Sequence, residues 1–289
     1  MNVGWIYLLC VVAAGTLLWP VGRWALQDKG SPAAMGFWIS LVMGILGLIA
    51  RVVMREPAIP QGVWTAGLLT AFAYSIGFCL LIMQCLKIGP AGPTVTVNNM
   101  AMVCGVLYGA IYLHPAVPSL FVLLGATGTC AALILIGMGQ QSSSSRGSTP
   151  RHWLPMLLAG GAFSGLSFMM QTHIGELYRG HRFSFLAISA IGSAIILLPF
   201  VLREGSLSRQ REIIAGLAIG GMSVVSISLT LSAFQHFPAA IVLPFTVTSP
   251  VLLMLIIGHF GYRERLNARQ LSGTLVGAAS ILLLALGSI

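Results

Sequence analysis

The chain has 289 residues, 57% of them hydrophobic and only 7% charged, with a mean hydropathy of +0.93. A soluble domain carries about 25% charged residues, so this composition excludes an ordinary globular protein and indicates a polytopic membrane protein. The net charge of +9 resides in short connections between apolar runs, where bases set orientation and meet anionic headgroups, so it implies a lipid bilayer and no nucleic acid.

Windows of about 20 apolar residues predict ten spans, at roughly 3–25, 34–54, 63–86, 91–112, 119–139, 153–177, 184–202, 213–235, 239–260 and 268–288. The first continues past Leu18 without a basic leader, so it reads as a helix and not as a cleaved signal peptide. Thr16, Trp19 and Arg23 recur at i, i+3 and i+7 and share one face of it. They are candidate substrate contacts, with Arg23 suited to a carboxylate or phosphate. Trp19 reads equally as an interfacial anchor, and Arg23 as a helix-end base reaching the headgroups. In the third span Ser75, Phe78 and Ile82 share a face, with the candidate Tyr74 alongside.

The fourth span opens on GPAGPTVTVNNM, residues 89–100. Pro90 and Pro93 fit a first helical turn, where a missing N–H costs little. Asn98 and Asn99 lie about two turns in, where polar side chains need partners or water. Thr94 is four residues before Asn98 and shares its face. These three are candidate substrate contacts, and the alternative for the asparagines is an interhelical hydrogen bond. The fifth and tenth spans are small and aliphatic, with Gly125, Gly128, Gly273 and Gly277 as close-packing positions for a scaffold or a homodimer surface.

Gln140 to His152, QQSSSSRGSTPRH, has a flexible linker's composition and divides the chain nearly in half. The sixth span carries Ser164, Ser167 and Gln171, with His173 and Glu176 in its last turns reading as an interfacial ion pair. The eighth carries Ser223, Ser226 and Thr230 at i, i+3 and i+7, and the ninth a polar cluster, LPFTVTSP, with Thr246. Of these, Ser164, Ser167, Gln171, Ser226 and Thr246 join the candidate substrate contacts. Serines in membrane helices also serve simple close packing.

Shifted by 148 residues, 1–141 falls on 149–289 without a gap, with 21 identities in 141 pairs, against roughly 11 expected by chance. Trp5 meets Trp153, Arg55-Glu56 meets Arg203-Glu204, and Pro90-Ala91 meets Pro238-Ala239. Asn98 falls on Thr246, and Thr16, Trp19 and Arg23 fall on Ser164, Ser167 and Gln171, so both halves place polarity at the same depth. Five spans per half make the second half enter from the opposite side. The expected fold is therefore all-α and integral to the membrane: ten transmembrane helices in two inverted five-helix repeats, 1–141 and 153–289, joined by a polar linker at 142–152.

Two five-helix halves, a proline-marked fourth helix (KIGPAGPTV, and QHFPAAIVLPF in the second half) and a closing GYRERLNARQLSGTLVGAASILLLAL resemble the EamA-type transporters of the drug/metabolite transporter superfamily. Glu264 and Gly273 match the family's pattern of a glutamate before a glycine-spaced last helix, and the first half departs from it with Ala116 in place of the glutamate. The WPVGR around Trp19 is similar to the family's late helix-1 WG feature, with Pro20 for the glycine. The resemblance implies transport and both termini in the cytoplasm. The charge distribution implies the reverse. Loops on the terminus side hold four bases (Arg51, Arg55, Arg179, Arg182) and those on the other side eleven, which puts the termini outside.

The expected function is a secondary carrier in the cytoplasmic membrane that moves a small polar metabolite, of the amino acid, organic anion or sugar class, by alternating access. The alternative is an intramembrane enzyme or a non-transporting subunit. The chain has no HExxH, Walker loop or nucleophile elbow. Its five cysteines all lie in apolar runs, none in a CxxC pair, so no metal or cofactor is expected. No acid falls in mid-membrane to serve as a shared proton and substrate site. Glu176 and Glu264 are expected near water and dispensable.

Overall fold

The computed structural model describes residues 3–26, 30–88, 91–113, 120–140, 152–205, 210–261 and 268–286. Among these residues the chain is all helix, without strands, and forms ten helices. They are α1 (Val3–Leu26), α2 (Pro32–Val53), α3 (Gln61–Ile88), α4 (91–113), α5 (Leu120–Gln140), α6 (Trp153–Leu177), α7 (Arg182–Glu204), α8 (Gln210–Ala233), α9 (Ala239–Gly261) and α10 (Ala268–Leu286). Five, α2, α3, α6, α7 and α8, are long and apolar enough to cross a bilayer, and each of the others contains a shorter apolar stretch. Residues 142–151 of the expected linker lie outside the described residues.

Two helices depart from α geometry, and both flank α6. In α3 the stretch Tyr74–Ile82 is π-helical. There Ala71 O accepts the Ser75 hydroxyl (2.7 Å) and, from α7, the Ser193 hydroxyl (3.1 Å). Hydroxyls thus occupy a carbonyl where the ladder changes spacing, a common companion of π-segments. In α4 the ladder is interrupted at Ala101, whose carbonyl takes Cys104 N–H at i+3 spacing, and the helix ends in a π-turn, Gly109–Leu113.

Packing follows close approaches at glycine. A Cβ on Gly47 of α2 would lie 3.1 Å from Ala187 N, one on Gly44 3.3 Å from Ile191 N, and one on Gly36 3.3 Å from Leu197 Cδ1. Ascending numbers on α2 meet descending numbers on α7, so the two run antiparallel. Gly128 likewise meets Ser280 and Gly273 meets Ile136, so α5 and α10 run antiparallel. Gly128, Gly273 and Gly277 are thus engaged within the chain.

The remaining seams come in pairs. Helix α1 packs on α8 and α9, and α6 packs on α3 and α4; α2 packs on α8, and α7 on α3. Each contact has a counterpart five helices along the chain. The helices α1, α9, α4, α6 and α8 form a closed cycle of neighbours, while among the described residues α1 and α6 make no extensive contact with each other, nor does α4 with α1 or α8.

Candidate functional site

The strongest polar contact between candidate residues crosses the α4–α6 seam. This seam is close because α6 offers small residues: a Cβ on Gly161 would lie 2.9 Å from Val97 Cγ1, and one on Gly165 3.1 Å from Cys104 Cβ. On the α4 side, a Cβ on Gly105 would lie 3.0 Å from Phe168 O. Between these contacts the Ser164 hydroxyl donates to Asn98 Oδ1 at 2.8 Å. Asn98, Asn99, Ser164 and Ser167 are all buried, and Thr94 is wholly so. The Ser167 hydroxyl, one turn beyond Ser164, has no hydrogen-bond partner among the described residues.

The other candidates sit on different members of the helix cycle. Thr16 on α1 is buried and donates to Val12 O (2.7 Å). Gln171 on α6, Ser226 on α8 and Thr246 on α9 are half-buried. Thr246 donates to Leu243 O in its own helix (3.2 Å), and Ser226 O accepts from Thr230 (2.9 Å). Because Gly105 meets Leu243 and Gly109 meets Ala239, the antiparallel α4–α9 register sets Thr246 about one turn from the level of Asn98. Tyr74 is not brought to this group. It stacks on Phe78 (centroids 5.2 Å, 18° between planes) and packs with Phe37, Trp38 and Leu197 between α2 and α7. The side chains of Trp19 and Arg23 lie outside the described residues, as does Glu264.

Sequence reasoning missed what the carboxylates do. Glu56, just past α2, accepts from Phe183 N (2.8 Å), Ser184 N (2.7 Å) and the Ser184 hydroxyl (2.5 Å), so it caps α7. At the other end of the same helix pair, Glu204 accepts from the hydroxyl of Ser31, the N-cap of α2 (2.5 Å), and Glu212 accepts from Ser31 N (2.6 Å). Lys87 donates to Gly30 O beside them (3.0 Å). Glu56 and Glu204 are the two glutamates that the 148-residue shift aligns. The repeated Arg-Glu pair was the signal for this, although only the folded α2–α7 pair reveals what each glutamate reaches.

Two expectations for α6 are corrected. His173 and Glu176 do not serve as an interfacial ion pair. His173 Nδ1 lies 2.8 Å from the Tyr108 hydroxyl on α4, and Glu176 Oε1 accepts from Ala239 N, the first residue of α9, at 3.2 Å. Nor does water wash Glu176, which is only 8% exposed. Its place in the penultimate position of α6 suggested exposure, but the start of α9 closes over it. No cluster of three or more His, Cys, Asp or Glu able to hold a metal occurs among the described residues.

Residues 151–286 match the EamA-like transporter family, which bears out for the second half the resemblance drawn from its motifs. A comparison with curated proteins finds no match. A solved structure, described only as "Crystal structure of protein", superposes with a TM-score of 0.73 at 13% identity, covering 97% of this chain and 98% of that one. That likeness shows a shared fold over the whole length. The match of the second half and the long apolar helices support a multi-pass membrane protein.

Proposed function

We propose that this chain, whose second half carries the EamA-like transporter signature, is a secondary carrier of a small polar metabolite, of the amino acid, organic anion or sugar class, that works by alternating access in the cytoplasmic membrane. The observation that carries the reading is the closed cycle α1–α9–α4–α6–α8, each member of which bears hydroxyl or amide side chains: Thr16, Thr246, Asn98, Ser164 and Ser226 among them. Hydrocarbon penalises such groups, whereas a water-filled space or a polar substrate satisfies them. Among the described residues the hydroxyls of Ser167 on α6, Ser228 on α8, and Thr248 and Ser249 on α9 are buried without a partner, and a ligand between these helices could complete them.

The antiparallel α2–α7 and α5–α10 pairs, and the recurrence five helices on of the α1–α8, α1–α9 and α2–α8 seams as α6–α3, α6–α4 and α7–α3, support two inverted five-helix halves, 1–141 and 153–289. Rocking one half against the other would move α1 with its own half while α8 and α9 stay with the second, opening the cycle alternately to each face. Tyr74, packed between α2 and α7, has no direct part in this path. A homodimer through α5 and α10 would use their outward leucines, such as Leu124 and Leu275, because Gly128, Gly273 and Gly277 already meet side chains of this chain.

The test is uptake by the purified chain in liposomes against a panel of labelled amino acids, organic anions and sugars, with an unlabelled pool of each inside. Exchange of at least one class, lost in Asn98→Leu at equal protein level, is expected. Absence of exchange of every class by folded protein contradicts the reading.

A further inference from the structure

Several titratable groups that the transport path does not use meet where α4, α6 and the start of α9 converge. Glu176 is buried there, its Oε1 bound to Ala239 N and 3.8 Å from the place of a Cβ on Gly109 of α4. One turn back on the same face of α6, His173 Nδ1 faces the Tyr108 hydroxyl. Tyr178 packs on the other side of the imidazole, its ring centroid 5.6 Å away. An open pocket of about 260 Å³ is lined by Arg179, just past α6, and by Phe234, Gln235, His236, Phe237 and Pro238, which lead into α9. Arg179 Nε donates to Glu176 O (3.3 Å) and Gln235 Nε2 to Arg179 O (3.3 Å).

We propose that Glu176, with His173 and Tyr108 beside it, is the proton-binding site through which the carrier couples to a proton gradient. The inference rests on the carrier reading above. Ionised, the carboxylate accepts the Ala239 N–H and places a negative charge at the positive end of the α9 dipole, which holds α9 to α6. Binding one proton from the side where protons are more concentrated forms an O–H bond on the carboxyl group and removes that charge. The tie to α9 weakens, and the helix is released to shift. Loss of the same proton to water on the opposite side, once α9 has shifted, restores the charge, so each cycle carries one proton down its gradient.

The charged and titratable neighbours are consistent with this role. From α4 come Tyr108 and Tyr112, stacked at 5.5 Å. From α6 itself come His173, Tyr178 and Arg179. The connection into α9 contributes His236, against which Tyr7 of α1 packs at 5.9 Å. The start of α7 contributes His181 and Arg182, the latter bound to the Ser232 hydroxyl and over the Phe183 ring. Glu56, the other carboxylate described on this side, is committed to capping α7. The His173–Tyr108 bond can relay a proton along the α4–α6 seam beside Glu176, because imidazole and phenol each both donate and accept.

The proposal is tested by pH-difference infrared spectroscopy of the purified full chain in lipid, with glutamate labelled at its side-chain carboxyl carbon. A protonated-carboxyl C=O component should rise as pH falls from about 9 to about 5, the span covering buried glutamates and histidine. It should vanish in Glu176→Gln, and its midpoint should move in Tyr108→Phe, which keeps the ring. If Glu176→Gln does not accumulate, Glu176→Asp should move the band out of the labelled-glutamate spectrum. A component that persists unchanged in either Glu176 variant overturns the site, whatever the protein transports. Uptake of an exchanged substrate that ignores an imposed pH gradient overturns the coupling and leaves the carrier reading standing.

Discussion

Asn98 and Ser164 share one hydrogen bond across a seam of glycines. Such bonds in membrane proteins average about 0.6 kcal/mol, so packing loses little when this one is removed. Asn98→Ala and Ser164→Ala, made singly and together, should show a coupling of about that size in an unfolding assay while weakening substrate affinity well beyond it. A coupling of several kcal/mol with unchanged transport would make the pair packing glue. Gly105 makes the opposite case: its missing Cβ would meet Leu243 Cδ1 and the Phe168 backbone, which cannot yield as a side-chain tip can. Gly105→Ala should cost about 1–3 kcal/mol of stability, read as a lower melting temperature in detergent. Both asparagines and Ser164 were legible from polarity and from the internal repeat. Their bond was not, because α4 and α6 are remote in sequence and their register depends on Gly161 and Gly165. The burial of Glu176 was illegible for a similar reason: the start of α9 that covers it is 63 residues away.

The helices were legible almost to their ends, since apolar length and proline or glycine punctuation mark membrane spans directly. Their internal irregularities were not. At the π-segment of α3, Ala71 O accepts the local Ser75 hydroxyl and a second one from Ser193 of α7, which the local sequence YSIGFCLLI does not announce. The caps show the same dependence on a partner. Helix α2 ends with Arg55 N–H on Val52 O and Glu56 N–H on Arg51 O, which requires Arg55 to adopt φ 52°, a left-handed conformation that usually falls to glycine. That turn aims Glu56 at the α7 N-terminus, where its charge meets two backbone N–H groups and the dipole. Glu56→Gln should therefore lower stability by about 0.5–2 kcal/mol. Glu204→Gln should act at the opposite end of the same helix pair, and the two losses should add within about 0.5 kcal/mol because no partner is shared. Strong non-additivity, seen in melting of the double variant, would show that the α2–α7 pair does not hold its ends independently.

At the scale of the whole molecule, antiparallel pairing of α2 with α7 and of α5 with α10 binds the halves along two seams, and small residues form both. The bases favour termini outside the cell, four against eleven, and a reporter that fluoresces only in the cytoplasm, fused after Ile289, should stay dark. Bright cells would show that the family's usual orientation prevails over loop charge. The central claim, that α1, α9, α4, α6 and α8 enclose a polar path and do not merely face lipid, has a direct test. Thr246→Cys and Gln171→Cys, each in a background without the five native cysteines, are probed with a membrane-impermeant maleimide from each side in turn. The account predicts labelling from both sides, because the path opens alternately, and protection by whichever substrate the liposomes exchange. Labelling by a lipid-soluble reagent alone, with neither side admitting the impermeant one, would contradict it.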